Sequence, residues 1–467
     1  MKSHHAIVLS TCVALLGCAG SDPPVLEISL RSPHDPMLLE GVERFIFSVE
    51  DEEGQQLVSR QFGPAGRFLL DDISYGPRRT FRLQGLLRGS PVLVGRSCPT
   101  DIQRGRPLPP VSMLVSGAGS FSPVDDPPPP ARLRPLVFAR QDGRIVVAGG
   151  APLDGSAALA TAQSFDARTG HWMTETGLSA PRRGGELAAF GAKGEFLVVG
   201  GEDAVGAPVG AAELYDPMAG FRVVNPNSGF GGDGVRASTL PDGTVLVTGG
   251  AEPTGLARAT MAIFNGRDLR GIGDMRLPRR AHTVSAVGTG NFSAAFVIGG
   301  DGGLDPAGAV PVADIELVNP RAAGTDAVSQ VVGKLAQPRA EHTATLLASG
   351  ELLIVGGRGA GSKGPLVSTE LFDPITRTVA DVGALGRART RHAATLLRDG
   401  RVLVSGGNGP DGAALRSAEL YDPVGRSFAA AKPLTTARAD HVVIELCDGT
   451  VLVVGGGPGA EIYNPAP

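Results

Sequence analysis

Short apolar runs, each closed by a pair of glycines, divide most of this chain into lengths of about 50 residues. The pairs stand at 149–150, 200–201, 249–250, 299–300, 356–357, 406–407 and 455–456. The runs that end in them are 143–150, 194–201, 243–250, 290–300, 350–357, 400–407 and 449–456, rich in Val, Leu and Ile, and they read as buried strands. Asp142-Gly143, Asp242-Gly243, Asp399-Gly400 and Asp448-Gly449 precede four of them. Asp-Gly signals a tight hairpin, because both residues tolerate positive φ. After each glycine pair comes a variable polar loop and then a second apolar run ending in an Asp-Pro or Asn-Pro turn: Glu213 to Pro217, Glu316 to Pro320, Glu370 to Pro374, Glu419 to Pro423 and Glu461 to Pro465. Weaker copies lie at Phe165-Asp166 and Phe264-Asn265. A further short run carries one aromatic, such as Trp172, Phe221 or Phe428. Each repeat therefore predicts four strands.

Residues 22–116 lack these marks. They alternate apolar and polar positions over short runs separated by turn residues such as Glu53-Gly54 and Gly63-Pro64. This pattern predicts a small antiparallel β-sandwich. Asp125-Asp126 and Pro127 to Pro130 follow, a stiff spacer within 125–131.

The order of hydrophobic strand, double glycine and later aromatic resembles the kelch repeat, whose units form four-stranded blades. The resemblance spans residues 119–467 and implies an all-β, seven-bladed kelch-type β-propeller over 117–467, behind the small sandwich of 18–116. The chain departs from the kelch pattern in keeping the usual tryptophan only at Trp172. The seventh unit stops after Tyr463-Asn464-Pro465 with no fourth strand. Gly119-Ser120-Phe121-Ser122-Pro123 is similar to 425–429, so residues 119–124 are expected to complete it and spare two exposed edges.

The first residues change the picture of where the chain works. Lys2, an apolar run from Ala6 to Leu16 and then Gly17-Cys18 form a leader, 1–17, too short to span a bilayer. Leu15-Leu16-Gly17-Cys18 resembles the bacterial lipobox, which implies lipidation of Cys18. Ala19 rather than aspartate after it implies the outer membrane, facing the periplasm or the cell surface. No later segment is apolar enough to span a bilayer. Export would place Cys98 and Cys447 in an oxidising compartment, where they either pair or remain separate buried thiols. The net charge of −4 offers no general electrostatic case for nucleic acid.

A third repeated element opens each unit. Arg279, Arg339, Arg389 and Arg438 each stand three residues before a histidine, His282, His342, His392 and His441. Extended upstream, the same register picks out Arg132, Arg183 and, without an arginine, Gly232. Two readings stay open. The six arginines ring one mouth of a central channel and bind carboxylates, sulfates or phosphates. Or each pairs with an acidic residue of the repeats, such as Glu213, Glu370 or Glu419. The histidines occur singly, which fits packing better than a metal site. No HExxH, CxxC or GxSxG motif is present. Copper oxidases on kelch-like propellers use a cysteine–tyrosine crosslink. Here Tyr215, Tyr421 and Tyr463 all fill a repeat slot, and Cys447 is the one propeller cysteine. No cofactor is expected. The preferred expectation is a monomeric, lipid-anchored, non-catalytic scaffold that binds a protein or polysaccharide. The alternative is a carbohydrate-active enzyme, mutarotase-like or oxidase-like, working at the propeller mouth.

Overall fold

The computed structural model describes residues 41–64, 75–103, 106, 111–124, 131–288, 293–303, 310–321, 328–361 and 364–466, with the backbone of Ile28–Arg31. Cys18, the leader, Asp125, Asp126 and the proline run 127–130 lie outside them. Among the described residues the fold is all-β and largely antiparallel.

Seven four-stranded antiparallel sheets follow one another from residue 136 onward, again among the described residues. The first sheet takes its strands in chain order: Leu136–Ala139, Arg144–Ala148, Ala162–Asp166 and His171–Glu175. The first strands of the next six are Glu186–Phe190, Val235–Thr239, Thr283–Val287, Thr343–Leu346, Ala393–Leu396 and Val442–Glu445. The second strand of each ends at the double glycine and is almost wholly buried, which is why it reads as an unbroken apolar run. The Asp or Asn before the strand-three turn accepts backbone N–H groups of that turn. Asp216 takes those of Met218 and Ala219, and Asp373 those of Ile375 and Thr376.

The seventh sheet draws its fourth strand, Ser120–Pro123, from before the first sheet. It pairs antiparallel with Ala460–Asn464, Phe121 opposite Tyr463. The first strand of every sheet touches that of the next, and that of the last touches that of the first.

The glycine pairs stitch neighbouring sheets together. The N–H of the second glycine donates to a carbonyl at the entry of the following sheet: Gly150 to Arg182, Gly201 to Gly232, Gly250 to Arg279, Gly300 to Arg339, Gly357 to Arg389 and Gly407 to Arg438. Gly456 completes the circuit by donating to Arg132 at 2.8 Å. Gly406 and Gly407 show why no other residue serves. Both have positive φ, 58° and 91°. A Cβ on Gly406 would lie 2.5 Å from the Arg438 carbonyl oxygen, and one on Gly407 would lie 2.5 Å from that of Thr390.

The N-terminal region corrects the expected sandwich. Its strands, Ile28–Arg31, Arg44–Glu50, Gln56–Phe62, Gly76–Leu87, Ser90–Ser97, Thr100–Ile102 and Val111–Gly117, belong to one mixed sheet. Ile28–Arg31 runs parallel to Val111–Gly117. Alternation along a strand shows that one face meets a core, here Phe45, Phe47, Val49, Phe81 and Leu83. It does not show which strand lies alongside. The long Gly76–Leu87 strand pairs with three others and so holds in one sheet what reads as two.

Cys98 and Cys447 form a disulfide, with their Cα atoms 4.9 Å apart. It joins the N-terminal sheet to the hairpin between the first two strands of the seventh sheet. Asn464 Nδ2 donates to the Val94 carbonyl at 2.8 Å and to Ser116 Oγ at 3.0 Å. Cys98 and Leu114 share a core with Ile145, Leu452 and Ile462.

Candidate functional site

The repeated arginines are buried, and this overturns the reading of them as a ligand-binding ring. The side chains of Arg182, Arg279, Arg339, Arg389 and Arg438 are fully enclosed, and each meets a glutamate: Glu213, Glu316, Glu370, Glu419 and Glu461. The Arg339 guanidinium donates to the Gly356 carbonyl at 2.8 Å, the Ser368 carbonyl at 2.9 Å and Glu370 Oε1 at 2.5 Å. Its sisters repeat this pattern on Gly200, Gly299, Gly406 and Gly455. The same glutamates accept backbone N–H groups of the chain leading into the sheet, such as Ser179, Ala336 and Thr435. With no face open to solvent, these five guanidinium groups hold the repeat together. Arg132 is also buried, bonded to the Gly149 and Thr161 carbonyls at 2.8 Å each.

Arg183 is a second correction. The residue in the buried position is Arg182, whose carbonyl takes the Gly150 N–H. Arg183 is partly exposed and pairs with Glu202 at 3.3 Å. Counting back from Glu186 misplaces the arginine by one, because Gly185 rather than Glu186 stands in the column where four of the other sheets carry histidine. The Gly201 Cβ position lies against Gly185, as that of Gly357 lies against His342.

The four histidines face hydroxyls, one apiece. Nε2 of His282, His342, His392 and His441 lies 2.8–3.1 Å from Thr248, Thr283, Thr343 and Ser405. Burial pushes His392 and His441 down to about 3, helped by the neighbouring arginines, and lowers His282 and His342 as well. They are neutral packing groups. Among the described residues no three His, Cys, Asp or Glu side chains gather as metal ligands.

A different set of charges converges two residues after each arginine position. Arg134, Gly184, Gly234, Ala281, Glu341, Arg391 and Asp440 all have left-handed backbone, φ between 51° and 74°. Five of their N–H groups donate to the carbonyl of the corresponding residue in the preceding sheet: Gly184 to Arg134, Ala281 to Gly234, Glu341 to Ala281, Arg391 to Glu341 and Asp440 to Arg391. These residues therefore form an inner ring where the sheets meet, which we call the mouth. Arg391 lies between Glu341 at 3.0 Å and Asp440 at 3.5 Å. Arg134 reaches across Gly184, where a Cβ would collide with its guanidinium, to pair with Asp233 of the third sheet. Arg236 and Glu186 pair nearby at 3.3 Å.

The carboxyls of this cluster are pushed in opposite directions. Burial raises Asp440 against the pull of Arg391 and Arg134. Asp233 is also desolvated, but Arg134 and Arg236 outweigh that and hold it below its ordinary value. Burial raises Glu186 over the opposing Arg236. No one residue type fills this column, which reads Arg, Gly, Gly, Ala, Glu, Arg and Asp in turn. The available signal was Gly184 and Gly234 in one column of the repeat, a mark of positive φ.

No family model and no curated protein matches the chain. A solved structure of similar fold is a fungal alcohol oxidase of the AA5 family in complex with copper, with a TM-score of 0.57. It is 14% identical, and the match covers 74% of this chain and 76% of that one. At that identity the likeness is one of fold.

Proposed function

We propose that the seven sheets are the blades of a closed kelch-type propeller, exported and anchored through lipid on Cys18. We read it as a recognition scaffold whose mouth binds a polar segment of a protein or polysaccharide. The observation that carries this reading is the identity of the residues on the left-handed ring. Glycine meets the backbone requirement at 184 and 234. Arginine, glutamate and aspartate meet it at a cost of about 1 kcal/mol or more each. Charged side chains kept at strained positions, where the repeat does not need them, point to use by a ligand. Arg134, Asp233, Glu341, Arg391 and Asp440 offer both donors and acceptors, which suits hydroxyl-rich or zwitterionic ligands.

A second reading is favoured by the opposite shifts of Asp440 and Asp233. A raised and a lowered carboxyl near one another supply an acid and a base, as a sugar mutarotase or epimerase needs. Among the described residues of the seven sheets, no tyrosine and free cysteine stand together as the oxidase version of that reading would use them. Tyr215, Tyr421 and Tyr463 are enclosed in apolar cores and Cys447 is spent in the disulfide.

Glycan and acidic-polymer arrays with the parent, Arg391→Ala and Asp440→Asn test both readings. Parent binding lost in the folded variants supports recognition. Exchange of sugar anomers, followed by NMR and abolished by Asp440→Asn, would support the enzyme instead. Neither activity in the parent would refute a functional mouth.

A further inference from the structure

Register makes the seven sheets internal controls for one another. The glutamate that neutralises each buried arginine stands opposite a second-strand residue: Val198 faces Glu213, Val297 faces Glu316, Ile354 faces Glu370, Val404 faces Glu419 and Val453 faces Glu461. In the third sheet Val247 faces Ala262, and Gly232 replaces the arginine, so both charges are gone together. In the first sheet Val147 faces Gln163, yet the arginine remains as Arg132. The acid is lost and the base is kept.

Arg132 is 2% exposed and has no carboxylate partner among the described residues. Two of its nitrogens are held by Gly149 and Thr161, as in its sisters. Its Nε and the Gln163 Oε1 are buried without hydrogen-bond partners. Nε is also unbonded in Arg182, Arg279 and Arg389, but each of those has its glutamate on the terminal nitrogen. Three residues before Arg132 the sequence has Pro129, where the sister sheets use a backbone N–H to hold the glutamate. A carboxylate in the first sheet would lack that support, in keeping with its replacement by an amide. A buried guanidinium still requires a counter-charge.

We propose that Arg132 is an anion site, taking a small monovalent anion such as chloride in the place of the missing carboxylate. The anion would sit on Arg132 Nη2, where four of the sister arginines meet their glutamate and where Arg132 meets only Thr161 Oγ1, and the Gln163 amide, turned over so that its NH2 faces inward, would give a second N–H. The five sister arginines take none.

Thermal unfolding of the full chain tests this, with sodium chloride exchanged for sodium gluconate at constant ionic strength. The wild-type midpoint should rise by a few degrees and saturate with chloride. Gln163→Glu should start higher in gluconate and ignore chloride. Glu370→Gln, which strips Arg339 of its acid, should gain a chloride response. Equal responses in wild type and Gln163→Glu, or none in wild type, overturn the proposal. Should Gln163→Glu not fold, diffraction from crystals of the wild type grown in bromide decides: anomalous density beside Arg132 supports the site and its absence there refutes it.

Discussion

At the scale of single residues, the same backbone demand recurs with different severity. Gly406 combines left-handed backbone with a carbonyl at 2.5 Å and the His441 ring at 2.7 Å from any added Cβ. Gly350 has φ of 88° but open space around it. Gly406→Ala should therefore destabilise by about 2–4 kcal/mol and Gly350→Ala by only about 1 kcal/mol. Urea unfolding of both checks this, and similar losses would contradict the packing argument. The histidines add a pH dependence of definite sign. His392 and His441 titrate near 3 when folded and near 6.5 when unfolded. Between those values only the unfolded chain binds their protons, so stability is full above pH 6.5 and falls as acid is added. Glu186, Asp301 and Asp440 are raised, so the folded chain holds their protons longer and offsets part of the slope. His441→Gln should flatten the stability curve between pH 6 and 4 by about 1.4 kcal/mol per unit. An unchanged slope in urea midpoints would contradict a neutral, buried His441.

Among elements, what the sequence made legible is what every repeat must satisfy. Strand two and its double glycine stand out because burial on both faces and close approach of the next sheet restrict composition in each copy. The arginine and glutamate that serve five of the sheets are visible for the same reason, though their burial is not. Spacing alone located Arg279 and mislocated Arg183, since Gly185 breaks the column that histidine marks elsewhere. The mouth charges escaped notice because only their conformation repeats. Arg134, Glu341 and Asp440 share a φ and not a side chain. The N-terminal sheet was misjudged for a further reason. Phe45, Phe47 and Val49 reveal a buried face, whereas strand neighbours depend on pairings between distant residues.

For the molecule as a whole, the N-terminal sheet and the seventh sheet behave as one body through the Cys98–Cys447 bond, Asn464 and a shared core. Cys98→Ser with Cys447→Ser should lower stability by about 2–5 kcal/mol, read as a reduced thermal midpoint that reductant no longer alters. A midpoint equal to the parent's would assign the joint to packing alone. The strand Ser120–Pro123 carries a different consequence, one of timing. Its partner Ala460–Asn464 lies more than 300 residues further along the chain, so this edge waits for a strand made much later. At ribosomal speeds the wait is on the order of tens of seconds. Throughout it the nascent chain presents an unpaired strand that any neighbouring polypeptide could claim. Slow elongation or high expression would then favour strand exchange between copies, and the yield of correctly closed chains would depend on how fast the distant partner strand is delivered.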